Sequence, residues 1–233
     1  LARKYDAVVA NPPYMGSGGF DDCLKLYVET NYQEGKSDLY AAFMQKSILL
    51  TKQDKFISTV NQSSWMFLES YHAIRHLILV GQRIESLIHL GANAFPELNS
   101  KVMQGVAFSL RNSLPGNFIG TYIGLLEFPD ASSKKTAFEA GRGAKYYLQH
   151  AIFSTISGSP ISYWVSNNLR EAFKYKSLGL NYSIMNGVQT SNNDRFLRSW
   201  YEVESRYSMQ KVLLEKKWYA YNKGGEYRKW YGN

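Results

Sequence analysis

Cysteine is almost missing from this sequence: Cys23 is the only one in 233 residues. No internal disulfide can brace the fold, and a reducing, cytoplasmic setting is expected. Long apolar runs are missing too. Nothing approaches the roughly 18–20 residues of a membrane helix, so a membrane is not an expected partner. Residues 1–5 lead straight into an apolar stretch without the layout of a secretory leader, and no signal peptide is expected. Metal-ligand spacing is also lacking. His72 and His76 stand four apart, but no glutamate lies between them as a zincin helix requires, and Cys23 is distant. No metal is expected. The Gly-x-Ser-x-Gly elbow of serine hydrolases is absent around Ser63 and Ser64.

What is present has an ordinary globular balance, 45% hydrophobic and 20% charged. The length suits one large domain, or one domain and part of another. The net charge of +8 is concentrated near the carboxyl end. Arg206, Lys211, Lys216, Lys217, Lys223, Arg228 and Lys229 face only Glu215 and Glu226, with Tyr207, Trp218, Tyr219, Tyr221, Tyr227, Trp230 and Tyr231 interleaved. Cations among aromatics suit a phosphate backbone and exposed base faces, which makes Lys216, Lys217, Lys223, Arg228 and Lys229 candidate DNA-binding residues. A solvated basic surface over a tyrosine-rich core satisfies the same pattern.

Residues 6–10 form a short apolar run that reads as a strand buried on both faces. Residues 15–37, with Gly16, Gly18, Gly19 and Gly35, read as a long mobile loop. A helix follows, with Ser37 as its cap and Leu39, Tyr40, Phe43, Ile48 and Leu50 on its apolar side. Residues 56–60 read as a strand, and Phe67, Tyr71, Ile74 and Ile78 carry helical spacing. Residues 84–90 and 102–110 read as two strands around a loop. This β-α-β-α-β-β order predicts an α/β fold whose parallel sheet ends in a hairpin at one edge. Residues 118–126 suggest another strand, 130–143 a polar loop, and Asn168 with Glu171 the start of a helix in capping-box spacing.

Asn11-Pro12-Pro13-Tyr14 closes the first strand. Two prolines end a central strand, and the carboxyl ends of strands are where open α/β sheets bind ligands. The chemistry suits methyl transfer to an exocyclic amine. An adenine amino group is a poor nucleophile because its lone pair is delocalised into the ring. Two fixed acceptors, the Asn11 side-chain oxygen and the Pro12 carbonyl, can grip its hydrogens and draw the nitrogen toward tetrahedral geometry. The proline rings hold that carbonyl in place, which is electrostatic preorganisation. The base must first leave the duplex, and the face of Tyr14 can then stack on it. Asn11, Pro12 and Tyr14 are therefore the candidate catalytic residues. A rigid strand-to-loop turn with a buried tyrosine is the bland alternative.

The motif resembles that of gamma-type, amino-group-specific DNA adenine methyltransferases, in which Asn-Pro-Pro-Tyr is catalytic. Three further segments match in order: 38–43 resembles the helix after the catalytic loop, 59–68 with Trp65 the next strand and its exit, and 93–96 followed by 101–110 the late loop and strand. The resemblance implies that Phe95 sandwiches the flipped base opposite Tyr14, although Phe95 would equally serve as a loop anchor in the core. It also implies that Asn11 and Pro13 touch the cofactor S-adenosylmethionine. Later motifs, 159–164, 187–190 with 193–196, and 221–225 with 228–231, resemble the adenine methyltransferases of BREX phage-defence systems and related type II restriction-modification fusions.

The family's glycine-rich cofactor turn precedes its catalytic loop, whereas Gly16-Ser17-Gly18-Gly19 follows it and lacks the third fingerprint glycine, Asp21 standing there instead. A lid over the substrate is the role expected for it. The resemblance thus implies the carboxyl-terminal half of a Rossmann-like S-adenosylmethionine-dependent methyltransferase sheet at 1–126, a connector at 127–179, and the start of a target-recognition region from 180–233. The expected function is methylation of the adenine 6-amino group in host-protective DNA modification, by a stretch inactive on its own. Double-stranded DNA is the expected partner, with other restriction-modification or BREX components beside it. A non-catalytic DNA-binding specificity module, or a methyltransferase acting on RNA or a protein amide, is the alternative.

Overall fold

The computed structural model describes residues 3–95, 103–185, 190–203, 218–219 and 221. Two compact units divide the chain, residues 1–177 and 178–233. The first holds strands β1 (Tyr5–Ala10), β2 (Thr51–Gln62), β3 (Arg83–Gly91), β4 (Gly105–Arg111), β5 (Ile119–Gly124) and β6 (Ala144–Gln149). Its helices are α1 (Asp22–Asn31), α2 (Leu39–Leu50), α3 (His72–Gly81), α4 (Ala131–Glu139) and α5 (Asn167–Ala172). Within the second, the short helix α6 (Asn193–Phe196) takes Asn192 as its cap.

The strands form one mixed sheet in the order β1-β2-β4-β3-β5-β6. β1 and β2 are parallel, as are β3 and β5, while β4 runs antiparallel to both β2 and β3. The carboxyl ends of β1, β2, β3 and β5 therefore share one edge of the sheet. The expected hairpin exists, but not at the sheet's margin. β4 returns into the middle and separates β3 from β2, so the pair lies centrally.

Residue alternation decides which face is covered. Ile57, Val106, Phe108, Leu110, Ile84 and Leu87 point to one side, where Tyr40 and Met44 of α2 and Ile74 and Ile78 of α3 join them in the main core. Burying side chains of this size stabilises by roughly 1.5–3 kcal/mol each, which holds both helices to the same face. The opposite face is a shallow open depression lined by small or hydroxyl-bearing residues, including Ser58, Ser86, Ala107 and Ser109. Val9 on β1 is 81% exposed there.

Four local expectations are corrected. Residues 6–10 form the expected strand, but at the margin of the sheet with none of its residues buried, because among the described residues only β2 pairs with it. Residues 15–37 are not a structureless loop: Asp21 accepts a hydrogen bond from the Leu24 amide (2.8 Å) and starts α1. Leu24, Val28 and Tyr32, at helical spacing, then pack with Phe20, Leu39 and Ala42 as a small second core. Residues 130–143 contain α4, capped by a reciprocal Asp130–Ser133 box, and lead into β6. The helix expected from Asn168 starts one residue earlier, with Ser166 as its cap in place of Asn168.

Candidate functional site

The site is built where β1 stops. Asn11 and Pro13 are exposed, Pro12 is buried and Tyr14 is half-buried. The Tyr14 hydroxyl donates to the Val60 carbonyl of β2 (3.1 Å) and also lies 3.3 Å from the Asn11 side-chain oxygen. It thus orients the amide while leaving one of that oxygen's lone pairs free. Burial raises the Tyr14 hydroxyl above its ordinary pKa, so it remains a proton donor.

Behind Tyr14 stands a column of aromatic rings. Tyr14 meets Tyr40 edge-on, with centroids 5.9 Å apart, and Tyr40 stacks on Tyr71 at 5.6 Å. The Tyr40 hydroxyl bonds Ser64 Oγ (2.9 Å), tying α2 to the turn that follows β2. Desolvation drives the Tyr40 pKa far up, so this ring stays neutral at any physiological pH.

The segment after Tyr14 is anchored as firmly. Met15 N–H donates to Asp38 Oδ1 (3.1 Å), Leu39 N–H to the Met15 carbonyl (2.9 Å), and Ser17 N–H to the Ser37 carbonyl (3.1 Å). Asp38, only 5% exposed, is also the cap of α2, accepting from Tyr40 N–H at 3.1 Å. The cap expected at Ser37 therefore sits one residue later. The Ser37 hydroxyl instead donates to the Ser70 carbonyl at 2.5 Å. Gly16–Gly19, read from sequence as a lid, holds a single turn of 3-10 helix at Ser17–Gly19, and Gly16 just before it bridges to Asp38.

Phe95 lies at the same sheet edge. It is half-buried, and a methyl group built on Gly105 would come within 3.1 Å of its ring. Gly105 opens β4 and pairs with Gln62 of β2, two residues past the Val60 that holds Tyr14. Both aromatics are thereby referred to the end of β2. Lys216, Lys217, Lys223, Arg228 and Lys229 lie outside the described residues.

Sequence reasoning missed Asp38, Tyr40 and Ser64 as parts of the site. The motif at 159–164, left without a role, packs beside the exit of β2. Ile161 N–H donates to the Met66 carbonyl (2.9 Å), Tyr163 stacks on Tyr122 (5.8 Å), and half-exposed Trp164 meets Phe67 at 5.4 Å. Among the described residues, no three His, Cys, Asp or Glu side chains gather as a metal site, and no helix is long and apolar enough to cross a membrane.

Comparison with known proteins gives this edge a context. Residues 1–95 match the Eco57I restriction-modification methylase family. The entire chain is 37% identical to the adenine-specific methyltransferase PglX of Lacticaseibacillus casei strain Zhang, covering 20% of that protein. It is also 37% identical to the adenine-specific methyltransferase BrxX of Escherichia coli O9:H4 strain HS, covering 19% of it. The chain thus spans about a fifth of the length of these relatives. Among solved structures, the methyltransferase subunit of a type I restriction-modification system from Streptococcus thermophilus matches 68% of this chain and 37% of its own, with a TM-score of 0.50 and 17% identity. That likeness concerns the fold.

Proposed function

We propose that this chain, whose residues 1–95 match the Eco57I restriction-modification methylase family and which is 37% identical along its length to PglX and BrxX, supplies the catalytic edge of an enzyme that methylates the 6-amino group of adenine in double-stranded DNA. The observation that carries this reading is the exposed Asn11 amide, held by the Tyr14 hydroxyl at the end of β1.

Each part of the turn has a task. Asn11 Oδ1 and the Pro12 carbonyl accept the two hydrogens of the extruded adenine's amino group. That pull localises the nitrogen lone pair without removing a proton beforehand. The Pro12 carbonyl is fixed by the proline rings and Asn11 Oδ1 is oriented by the Tyr14 hydroxyl, so little reorganisation is needed as charge develops. Tyr14 and Phe95, both referred to the end of β2, stack on the two faces of the extruded base. After transfer, the amino group loses one of its original protons to solvent at this open edge.

S-adenosylmethionine fits as the methyl donor, since the exposed Pro13 ring and Asn11 amide stand at the sheet edge as one wall of a cofactor site. When bound, it supplies an electrophilic methyl group on a sulfonium. The chain's own contribution would be to hold the amine by its two hydrogens and the base by its two faces while that methyl is transferred. Lys216, Lys217, Lys223, Arg228 and Lys229 are assigned to the DNA backbone on their charge alone. Target recognition from residue 180 onward, partnership with other restriction-modification or BREX components, and a cytoplasmic location complete the proposal.

The test is Asn11→Ala in the full-length protein, with methyl transfer followed into DNA, RNA and protein and the DNA digested to nucleosides. Loss of one preorganised acceptor is expected to lower formation of N6-methyladenine by roughly 10²–10³-fold, while DNA affinity stays within about twofold. Activity within twofold of the parent, or label appearing in RNA or a protein amide instead, overturns the reading.

A further inference from the structure

The Asn11–Tyr14 turn begins where β1 ends and is tied from within by the Tyr14 hydroxyl to the Val60 carbonyl (3.1 Å); the rest of its hold comes from its two ends. Ahead of the turn, β1 is held in the sheet by β2. After it, the first fixed point is Met15, whose amide donates to Asp38 Oδ1 at 3.1 Å and whose carbonyl accepts from Leu39 N–H at 2.9 Å. One residue further, Gly16 bridges to Asp38. Beside the backbone bonds of Leu39 and Ser17, one side chain thus closes the turn from behind.

We propose that Asp38 is a positioning residue for the catalytic turn, fixing Met15 to the amino end of α2 so that Asn11 and Tyr14 meet the base in register. This rests on the methyl-transfer reading given above. Three features set Asp38 apart from an ordinary helix cap. The same atom, Oδ1, takes both the helix amide of Tyr40 and the loop amide of Met15, so loop and helix cannot move independently without breaking a bond. The residue is nearly buried, unlike Asp21 and Asp130, the exposed caps of α1 and α4. The next residues of its helix carry Tyr40, which supports the Tyr14 ring.

Burial raises the Asp38 carboxyl above its usual range, partly offset by the amides of Tyr40, Met15 and Leu39. The negative charge is therefore a cost to the fold, and what the site uses is the acceptor geometry. Asparagine reproduces an oxygen at the Oδ1 position and discards the charge, whereas alanine removes the acceptor altogether.

The experiment compares Asp38→Ala, Asp38→Asn and Asp130→Ala in the full-length protein. Asp130→Ala removes an equivalent cap from α4, away from the turn, and reports what loss of a cap alone does to melting temperature. A displacement of about 1 Å in a catalytic group is enough for roughly 100-fold in rate. Asp38→Ala is expected to lower kcat by about that factor with KM for DNA within about threefold. Asp38→Asn is expected to stay within about threefold of the parent. Hydrogen exchange at the Met15 amide, which needs no activity, should quicken in Asp38→Ala and in neither of the others. If Asp38→Ala melts lower but keeps its kcat, or if Asp38→Asn is as slow as Asp38→Ala, the positioning role is overturned. If the Met15 amide responds as described while Asn11→Ala remains fully active, the staple stands and the methyl-transfer reading is what has failed.

Discussion

The hydroxyl of Tyr14 touches both the Asn11 side-chain oxygen and the Val60 carbonyl, so a residue assigned to stacking also orients the acceptor beside it. The two roles separate by substitution. Tyr14→Phe keeps the ring against Tyr40 and loses only the hydroxyl. It is expected to retain base capture and to lose roughly 3–10-fold in kcat, the scale of about one hydrogen bond. Tyr14→Ala is expected to lose base capture as well, by about 1–3 kcal/mol. A fluorescent adenine analogue at the target position reads extrusion directly, and equal extrusion by Tyr14→Ala and the parent would remove the stacking role.

Phe95 is expected to carry the second face of the slot. Phe95→Ala should weaken capture of the extruded base by about 1–3 kcal/mol while leaving affinity for an unmodified duplex almost unchanged. Gly105→Ala offers a gentler probe, because its methyl would crowd the Phe95 ring at 3.1 Å without removing it. Unchanged fluorescence of the base analogue in both variants would reduce Phe95 to a loop anchor.

Arg75 is a structural hub. It is 1% exposed, and its guanidinium donates to the carbonyls of Trp65 (2.9 Å), Leu68 (2.7 Å) and Gly158 (2.8 and 3.1 Å). These bonds join the exit of β2 to the turn leading into 159–164. Arg75→Met leaves the buried Trp65 carbonyl and the part-buried Leu68 and Gly158 carbonyls without this donor and is expected to cost about 2–4 kcal/mol of unfolding free energy. Arg75→Lys cannot reproduce the fork and should recover less than half of that loss. Urea unfolding measures both. A lysine variant as stable as the parent would show that charge, not geometry, is what matters there.

The pH dependence of stability has a named source in His89. Burial lowers its pKa to about 4, from an ordinary value of 6.5, with Tyr163 as its ring partner at 3.2 Å. Between those values the unfolded chain binds the proton and the folded chain does not. Stability is thus fully present above about pH 6.5 and is lost as pH falls toward 4, by about 3 kcal/mol at most. His150, whose pKa is also lowered by burial, pushes the same way. His89→Gln retains a partner for Tyr163 and removes the titration. Denaturation at pH 7.5 and pH 5 should show a smaller difference for His89→Gln than for the parent; equal differences would acquit His89.

What was legible in the sequence follows from what each pattern encodes. The β1 run and its Pro-Pro stop locate the turn at 11–14 because proline excludes continuation of a central strand. The runs at 56–60 and 102–110 mark two strands, yet say nothing of which strand is a neighbour, so the return of β4 between β2 and β3 is not readable from them. α1 was obscured by the glycines around it, although Leu24, Val28 and Tyr32 carry its stripe. β6 shows only the half-pattern of an edge strand, with Tyr146 and Leu148 inward and Lys145 and Tyr147 outward. Ser37 and Asp38 are equally good caps in sequence. Only the extended backbone of Asp38 (φ −156°) and its buried partners distinguish them.

The outer side of β1 has a consequence for anyone handling this chain. No strand pairs with that side among the described residues. The only charged residue in Tyr5–Ala10 is Asp6, and Lys52 (2.8 Å) and Lys55 (3.3 Å) neutralise it. Natural sheets guard a free margin with charge, proline or a bulge, and here the register shift adds its extra residues to β2, between Thr51 and Phe56, while Ala7–Ala10 pair with it one for one. A row of main-chain groups that no described strand pairs, beside exposed Val9, is adhesive. When this stretch is produced by itself, its behaviour in solution should be governed by concentration: light scattering should rise steeply with protein added, and a charged residue placed at Val9 should suppress it.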